Sequence, residues 1–173
     1  LRTIDPEKVP SNYTAFYFNN LEDKNEIRKN IKFNKDILHQ SKLVNYFNGD
    51  FARSKIEKDL NNFLNKIKKN KKYKLSKKDI ILIESLKSDG IKISKKYDSL
   101  YEIDDSEMPT DIQVMINNNE FASVLIRIIE VIGQDELKFM DEDTLYFIIS
   151  ALNQLNIDYI RNKILLEVLP LKV

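Results

Sequence analysis

The fold is decided by residues 119–173, which read NEFASVLIRIIEVIGQDELKFMDEDTLYFIISALNQLNIDYIRNKILLEVLPLKV. Apolar side chains recur there every three or four residues, the spacing that places them on one face of a helix. It predicts helices over 120–132, 141–155 and 158–169, interrupted at Gly133 and Asn156. The side chains expected to face a shared core are Phe121, Leu125, Ile128, Ile129, Ile132, Leu145, Ile148, Ile149, Leu152, Leu155, Ile160, Ile164, Leu165 and Val168.

The composition of the whole chain also favours helices. Its 173 residues include only three glycines and four prolines, too few for the frequent turns of a β-sandwich or barrel. Hydrophobic residues make up 42% and charged residues 32%, which is enough apolar surface to form a core. We therefore predict an all-α fold: an array of antiparallel helical hairpins, either solenoid-like or an irregular helical bundle, because short connections make neighbouring helices antiparallel.

Four regions are predicted along the chain: an extended lead-in over 1–10, an N-terminal helical region over 11–90, an extended strap over 91–110 and a C-terminal helical region over 111–173. They are expected to form one continuous unit. Because the sequence begins with Leu1 rather than methionine, we expect a fragment of a longer or processed chain. The localisation is then open between cytoplasm and periplasm. No apolar run approaches the ~20 residues that span a bilayer, which predicts a soluble protein.

Helix boundaries in the N-terminal region follow from capping signals. Helices are predicted over 11–20, 23–33, 34–48, 51–69 and 76–88. Asn34 is the expected N-cap of the third, while Gly49 and Gly90 are expected to end two of them. Ser76 and Asp79 resemble a capping box, which favours a helix over a strand for the apolar residues 80–83. The predicted core face of helix 51–69 consists of Ala52, Ile56, Leu60, Phe63, Leu64 and Ile67.

The connection before the C-terminal region is expected to lack helical order. Ile91, Ile93, Tyr97 and Tyr101 do not follow a helical spacing, and Pro109 prevents a helix from continuing through it. A helix over 111–118, capped by Thr110, is predicted to follow.

Helix pairs in the last 55 residues resemble a known class of repeats. The segments Ala151-Leu152-Asn153-Gln154-Leu155, 158–161 and Ile164-Leu165-Leu166-Glu167-Val168-Leu169 are similar to helices of tetratricopeptide-like and other α-solenoid proteins. The tryptophan, glycine and proline positions of the tetratricopeptide signature are absent. The resemblance implies a protein-binding or scaffolding role that uses a concave surface.

Several kinds of chemistry are excluded or disfavoured by composition. The chain contains no cysteine, so it has no disulfide, thiolate metal site or cysteine nucleophile. His39 is the only histidine, and we expect it to be structural or exposed rather than a general base or metal ligand. No glycine-rich phosphate loop or Gly-x-Ser-x-Gly motif is present. We therefore predict no catalytic residue, no metal site and no cofactor.

Two acidic clusters can be explained without a bound cation. Asp141, Glu142 and Asp143 could hold a divalent cation, but capping and compensation of the helix dipole account for their position before an apolar run. The second cluster lacks the alternating spacing of a calcium loop and is expected to be a solvated linker. Its members are Glu102, Asp104, Asp105, Glu107 and Asp111.

The segment 66–78 is the strongest local charge feature, with eight lysines in thirteen residues. It could bind an anion or a nucleic acid, although a solvated helix end rich in lysine is the favoured alternative. No arginine is present in it for bidentate phosphate contacts. The possible contact residues are Lys68, Lys69, Lys71, Lys72, Tyr73 and Lys74.

The favoured function is a non-enzymatic helical scaffold or protein–protein interaction module, with a protein as the expected partner. The first alternative is binding of RNA or an anionic membrane surface through 66–78. The second is an enzyme with a site built from scattered carboxylates and tyrosines, since such sites leave no local signature. High lysine, isoleucine and asparagine contents are typical of an AT-rich bacterial genome.

Overall fold

Every regular element in the described part of the chain is helical, which confirms the all-α prediction. The computed structural model describes residues 32–49, 52–70, 73–101, 108–133 and 136–169. The α-helices within these ranges are α1 (Arg53–Lys69), α2 (Lys77–Ser88), α3 (Thr110–Asn117), α4 (Phe121–Ile132), α5 (Glu142–Gln154) and α6 (Asp158–Val168). The 3-10 helices are Leu38–Gln40, Lys42–Asn48, Lys95–Leu100 and Leu137–Phe139.

Residues 33–170 belong to one compact unit, in which α2 and α5 pack most extensively against each other. Both helices are apolar around much of their circumference, which suits a central position. The buried apolar residues of α2 include Ile81, Leu82, Ile83 and Leu86. Those of α5 include Leu145, Phe147, Ile148, Ile149 and Leu152. Burying a side chain of this size contributes roughly 1.5–3 kcal/mol. The helix pair therefore supplies much of the driving force for folding.

Most predicted helix ends are confirmed. The Ser76 side chain accepts a hydrogen bond from the Asp79 N–H, and the Asp79 side chain accepts one from the Ser76 N–H, which completes the capping box. Asp141 caps α5 by accepting from the N–H groups of Asp143 and Thr144. The predicted breaks adopt left-handed or related positive-φ conformations at Gly49, Gly90, Gly133 and Asn156, and Asn119 between α3 and α4 does the same.

The prediction of a single continuous helix over 34–48 is wrong. The segment instead contains a turn followed by two 3-10 helices that are separated at Ser41. Its backbone donors bond to side chains: the Asp36 N–H to Asn34 Oδ1, the His39 N–H to Asp79 Oδ1 and the Leu43 N–H to Ser41 Oγ. Such bonds compete with the regular α-helical ladder.

The strap over 91–110 is only partly extended. Ile91 and Tyr97 are buried, and residues Lys95–Leu100 form a 3-10 helix against α1. Two side chains of α1 hold the strand-like lead into it: Glu57 Oε1 accepts from the Lys92 N–H, and Asn61 Oδ1 accepts from the Ser94 N–H.

The prediction that Thr110 caps the next helix is wrong. α3 begins at Thr110 itself, and its N-cap is Pro109, which makes no side-chain hydrogen bond. Proline is compatible with a helix start, where its missing N–H costs nothing.

Some predicted core residues are exposed. Phe121 and Ile129 of α4, Ile160 of α6 and Ala52 before α1 all face solvent. The predicted core residues of α5 are all buried, and so are Ile164, Leu165 and Val168 of α6. Helical spacing identifies an apolar side chain, but the position of neighbouring helices decides whether it is covered.

Several predicted features lie outside the described residues. They are the lead-in 1–10, the helix 11–20, the helix 23–33 except for its last two, non-helical residues, the acidic residues Glu102, Asp104, Asp105 and Glu107, and the chain end 170–173. The antiparallel order of the hairpins stays a prediction.

Candidate functional site

One side of α4 presents an apolar surface to solvent. Phe121, Ile126 and Ile129 are 49%, 59% and 67% exposed, and Leu125 between them is half-buried. Residues four apart lie next to each other along a helix, so Phe121, Leu125 and Ile129 form one row, with Ile126 beside it. We call these four residues the α4 face. The neighbouring helix α3 adds a further exposed apolar side chain, Val114.

The α4 face exists because α4 has more apolar surface than its neighbours cover. Its main contacts are with α3 and α5, and only Val124 and Ile128 are fully buried. The polar residues among its twelve are Ser123, Arg127 and Glu130, which a turn of about 100° per residue groups within roughly one-sixth of the circumference. The arc between the buried side and the polar side is therefore apolar and exposed. A helix of this composition is normally covered on more than one side.

The polar side of α4 is held by charged contacts. Arg127 Nη1 lies 3.1 Å from Glu130 Oε2, and Arg127 Nε lies 3.7 Å from Asp111 Oδ2 on α3. Glu130 belongs to α4 itself, so of these two contacts only the one between Arg127 and Asp111 links α4 to α3. The remaining exposed large hydrophobic residues, Phe139 and Tyr159 among them, lie on other elements, where Lys138 and Lys163 stand over their rings.

Charge is distributed very unevenly along the chain. Residues 1–101 contain 23 basic and 13 acidic side chains, a net charge of +10. Residues 102–173 contain 5 basic and 14 acidic side chains, a net charge of −9. The near-zero total therefore conceals two regions of opposite sign, and the α4 face lies in the acidic one. Such asymmetry affects association with charged partners.

The possible anion-binding residues of the segment 66–78 do not form a common site among the described residues. Lys69 and Lys74 are exposed at the end of α1 and in the following loop, while Lys71 and Lys72 lie outside the described residues. Lys68 donates to the Lys96 carbonyl at 2.8 Å, and Lys77 forms an ion pair with Asp143. Lysines that bond within the protein, or point separately into solvent, fit a solvated helix end.

Tyr73, one of the possible contact residues of the segment 66–78, belongs to a polar cluster with His39 and Asp79. Its hydroxyl donates to Asp79 Oδ2 at 2.9 Å and accepts from the Leu38 N–H at 3.4 Å. His39 Nδ1 lies 2.8 Å from Asp79 Oδ1, which also accepts the His39 N–H. Because an ionised carboxylate can only accept, Nδ1 carries the proton of the histidine ring. The cluster joins the 3-10 helix Leu38–Gln40 to the start of α2.

The cluster contains the residue types of a catalytic triad without the geometry of one. In a triad the two ring nitrogens of histidine contact different groups, the acid at Nδ1 and the nucleophile at Nε2. Here Ser76 Oγ lies 3.3 Å from His39 Nδ1, the same nitrogen that faces Asp79, and Nε2 lies 3.4 Å from Gln40 Nε2. Proton relay from serine to histidine is not set up by this arrangement. Ser76 and Asp79 act as capping residues, and His39 is buried against Asp79.

The cluster shifts the ionisation of its acidic members. Burial and the adjacent Asp79 carboxylate raise the pKa of Tyr73 to about 12. Burial by itself raises the pKa of Asp79, but hydrogen bonds from the His39 ring and from the N–H groups of Ser76 and His39 outweigh it and hold that pKa below its usual value of 3.8. Tyr73 is therefore a neutral donor and Asp79 an ionised acceptor at neutral pH.

A second buried polar group was not predicted. Arg161 of α6 is completely buried and forms ion pairs with Asp89 at 2.6 Å and Asp158 at 3.0 Å. Its Nη1 also donates to Asn153 Oδ1 at 3.1 Å, and its guanidinium lies 5.7 Å from the centre of the Phe47 ring. These contacts use the planar guanidinium for several directed bonds, as buried arginines generally do. Arg161 connects α6 to α5, to the end of α2 and to the 3-10 helix Lys42–Asn48.

A cleft of about 750 Å³ lies beside the 3-10 helix Lys42–Asn48. Phe33, Leu43 and Phe63 supply apolar lining, and the charged lining residues are Lys35, Asp36, Lys42, Lys55 and Asp59. All five charged side chains are exposed, so water screens any field that they create. Within the described ranges, no group of histidine or carboxylate side chains is arranged to hold a metal ion.

Comparisons with protein-family models, with curated proteins and with solved structures find no match to this chain. In the ranges that the structure describes, no helix combines the length and the apolar character needed to cross a bilayer. Functional inference therefore depends on the surface and on the buried polar groups.

Sequence reasoning missed both the α4 face and the Arg161 ion pairs. The α4 face had a detectable signal, because the helix contains only three polar residues and they fall on one side. The opposite charges of the two regions were equally visible in the sequence. Arg161 had no such signal, since a single arginine in an amphipathic helix is normally expected on the surface.

Proposed function

We propose that this protein is a non-enzymatic interaction module that binds another protein through the α4 face. The observation that carries the proposal is the row of exposed apolar side chains on α4, at 49–67% exposure for Phe121, Ile126 and Ile129. Contiguous exposed apolar surface on a folded domain is typical of a binding site. Val124 and Ile128 on the opposite side of the helix are buried, so α4 is anchored in the core while this row stays exposed.

Two further observations support a binding role over catalysis. The buried polar cluster of His39, Tyr73 and Asp79 is used to join elements, and its geometry lacks the two-sided histidine contact of a relay. The cleft beside Lys42–Asn48 carries exposed charges of both signs rather than convergent buried groups. The resemblance of the last helices to α-solenoid repeats implies a function of the same class.

Site-specific photo-crosslinking tests the proposal. Ile129 is replaced by benzoylphenylalanine in the full chain in its native cells, and Asn62, which is exposed on α1, is replaced in a matched control. We expect a discrete cross-linked polypeptide from position 129 and none from position 62. The additional change Ile126→Ser should abolish that product, because it removes an apolar contact beside the probe.

The proposal is wrong if position 129 yields no cross-linked polypeptide, or if positions 129 and 62 yield the same products. Circular dichroism of each variant should show an unchanged helix content, because the substituted side chains face solvent.

A further inference from the structure

We infer that the partner of the α4 face is a basic amphipathic helix of another protein. This inference rests on the proposed function and specifies the chemistry of the partner. The α4 face is one row of apolar side chains along a helix of twelve residues. A second helix that lays its own apolar stripe along this row, with anchors three or four residues apart, is the simplest complement.

The charges around the α4 face determine the polar side of the partner. Residues 108–143, which include α3 and α4, contain eight acidic and two basic side chains. One of the two basic residues, Arg127, is already paired with Asp111 and Glu130. The segment that contains the α4 face is therefore acidic overall, with Asp111 on α3 and Glu120 and Glu130 at the two ends of α4. Lysine or arginine beside the apolar stripe of the partner complements this charge. The same charge repels an anionic membrane surface.

Self-association is disfavoured in both of its simple forms. Pairing of two α4 faces brings two acidic regions together, each with a net charge of −6 over residues 108–143. Pairing of the α4 face with the described part of the basic region of a second copy lacks an exposed apolar counterpart. In the part of the chain that the structure describes, the exposed large hydrophobic residues all lie between Val114 and Ile160, outside the basic region. A different protein is the better fit.

Binding of designed peptides to the full chain tests this inference. The probe is a labelled peptide of about 18 residues, long enough for five helical turns. It has leucine at helical spacing and lysine at all the remaining positions. A second peptide has glutamate in place of each lysine, and a third has the composition of the first in scrambled order. Fluorescence anisotropy measures each dissociation constant, and sedimentation measures the oligomeric state of the chain alone.

We expect the basic peptide to bind and the acidic and scrambled peptides to bind at least about tenfold more weakly, because charge and apolar spacing both contribute. Ile126→Ser with Ile129→Ser should weaken binding at least about tenfold, as loss of two central apolar contacts does. The matched control is Lys58→Ser with Asn62→Ser on the exposed side of α1. The double change Glu120→Gln with Glu130→Gln should weaken binding severalfold, because it removes two negative charges beside the α4 face. Raising NaCl from about 50 to about 300 mM should also weaken binding severalfold, because salt screens the attraction.

The inference is overturned if the acidic peptide binds as tightly as the basic one, or if the Ile126 and Ile129 changes have no effect. It is also overturned if sedimentation shows a dimer that the same changes dissociate, since a second copy then covers the α4 face. A discrete cross-link from position 129 to a different polypeptide, together with either of the peptide results, leaves the proposed interaction function standing and rejects only the basic helix. The dimer result rejects both, because the α4 face then binds a second copy rather than another protein. Absence of both the cross-link and peptide binding rejects both.

Discussion

Arg161 and Asp89 are 72 positions apart in the sequence, and Nη2 of the arginine lies 2.6 Å from Oδ1 of the aspartate. The arginine is completely buried, and the aspartate side chain is 12% exposed. The pair joins the start of α6 to the C-cap residue of α2. Arg53 donates to the carbonyl of the same aspartate at 2.7 Å, so three separate elements meet at Asp89.

Replacing Arg161 with methionine should strongly destabilise the protein. The change leaves the carboxylate of Asp89 nearly buried without its charged partner, which costs about 3–5 kcal/mol. Urea denaturation followed by circular dichroism measures the loss in the free energy of unfolding. Adding Asp89→Asn should recover part of it, because the uncompensated charge is then removed.

Arg53→Met is a matched control, since Arg53 is exposed and contacts the same residue through its backbone. It should cost at most about 1 kcal/mol, the usual contribution of one hydrogen bond. Equal effects of Arg161→Met and Arg53→Met would show that the buried ion pair is not important for stability.

Asp79→Asn should destabilise the protein by roughly 2–4 kcal/mol, because the amide nitrogen cannot accept the bonds that Oδ2 accepts from Tyr73 and Ser76. The folded-state pKa of Asp79 is lowered, so its contribution is complete above the ordinary pKa of 3.8 and is lost as pH falls through the folded value. The variant should therefore lose less stability than the wild type on acidification below about pH 5. Parallel acid dependence of the two proteins would contradict this. Asp36→Asn, at an exposed position, is the control.

Tyr73→Phe should change the alkaline end of the stability profile. The pKa of Tyr73 is raised from 10.0 to about 12, so the folded state holds the phenolic proton more tightly than the unfolded state does. That stability is fully present below pH 10.0 and disappears as pH rises toward about 12. The variant should show a shallower decline over this interval. The free energy of unfolding at several alkaline pH values measures the difference, and an unchanged slope would exclude this contribution.

Adjacent isoleucines on α4 should respond differently to truncation. Ile128→Ala removes a buried side chain and should cost roughly 2–4 kcal/mol of stability. Ile129→Ala removes a side chain that is 67% exposed and should change stability by less than about 0.5 kcal/mol. Thermal or urea unfolding of the two variants compares the sites directly. A large loss from Ile129→Ala would show that the α4 face is covered within the protein itself.

The segment 66–78 tests the alternative of RNA or anionic-membrane binding. We expect at most weak binding to a single-stranded RNA or to phosphatidylserine vesicles at physiological salt, because the lysines of this segment that the structure describes do not converge on one site. Changing Lys71, Lys72 and Lys74 to glutamine should leave basic-peptide binding unchanged. Tight, salt-sensitive RNA or vesicle binding that these changes abolish would instead favour the alternative.

Helix type and helix ends were largely predictable because their signals are local. A capping box such as Ser76 with Asp79 acts between residues three positions apart, and a break such as Gly49 or Asn156 acts at one residue. Residues 34–48 were the exception. Their α-helix is replaced by 3-10 helices, partly through the hydrogen bond from the His39 N–H to Asp79, which is 40 positions away.

The candidate site was less predictable, because the exposure of its side chains depends on elements that are distant in the sequence. The periodicity of α4 placed Phe121 and Ile129 in a core, together with Ile128, because all three are apolar and close on one face. Only the positions of α3 and α5 decide that Ile128 is covered and Ile129 is not. In α6 the expected order is reversed: Ile160 is exposed, whereas the adjacent Arg161 is completely buried.

The sequence by itself determined that this chain forms helices, where most of them end, and that its two regions carry opposite charge, since these properties depend on composition and on neighbours within four residues. The tertiary structure decided which apolar faces are buried, that Arg161 lies inside an ion-pair network, and that His39 joins Asp79. Those outcomes depend on which distant elements pack together, because burial and ion pairing are properties of the space around a side chain.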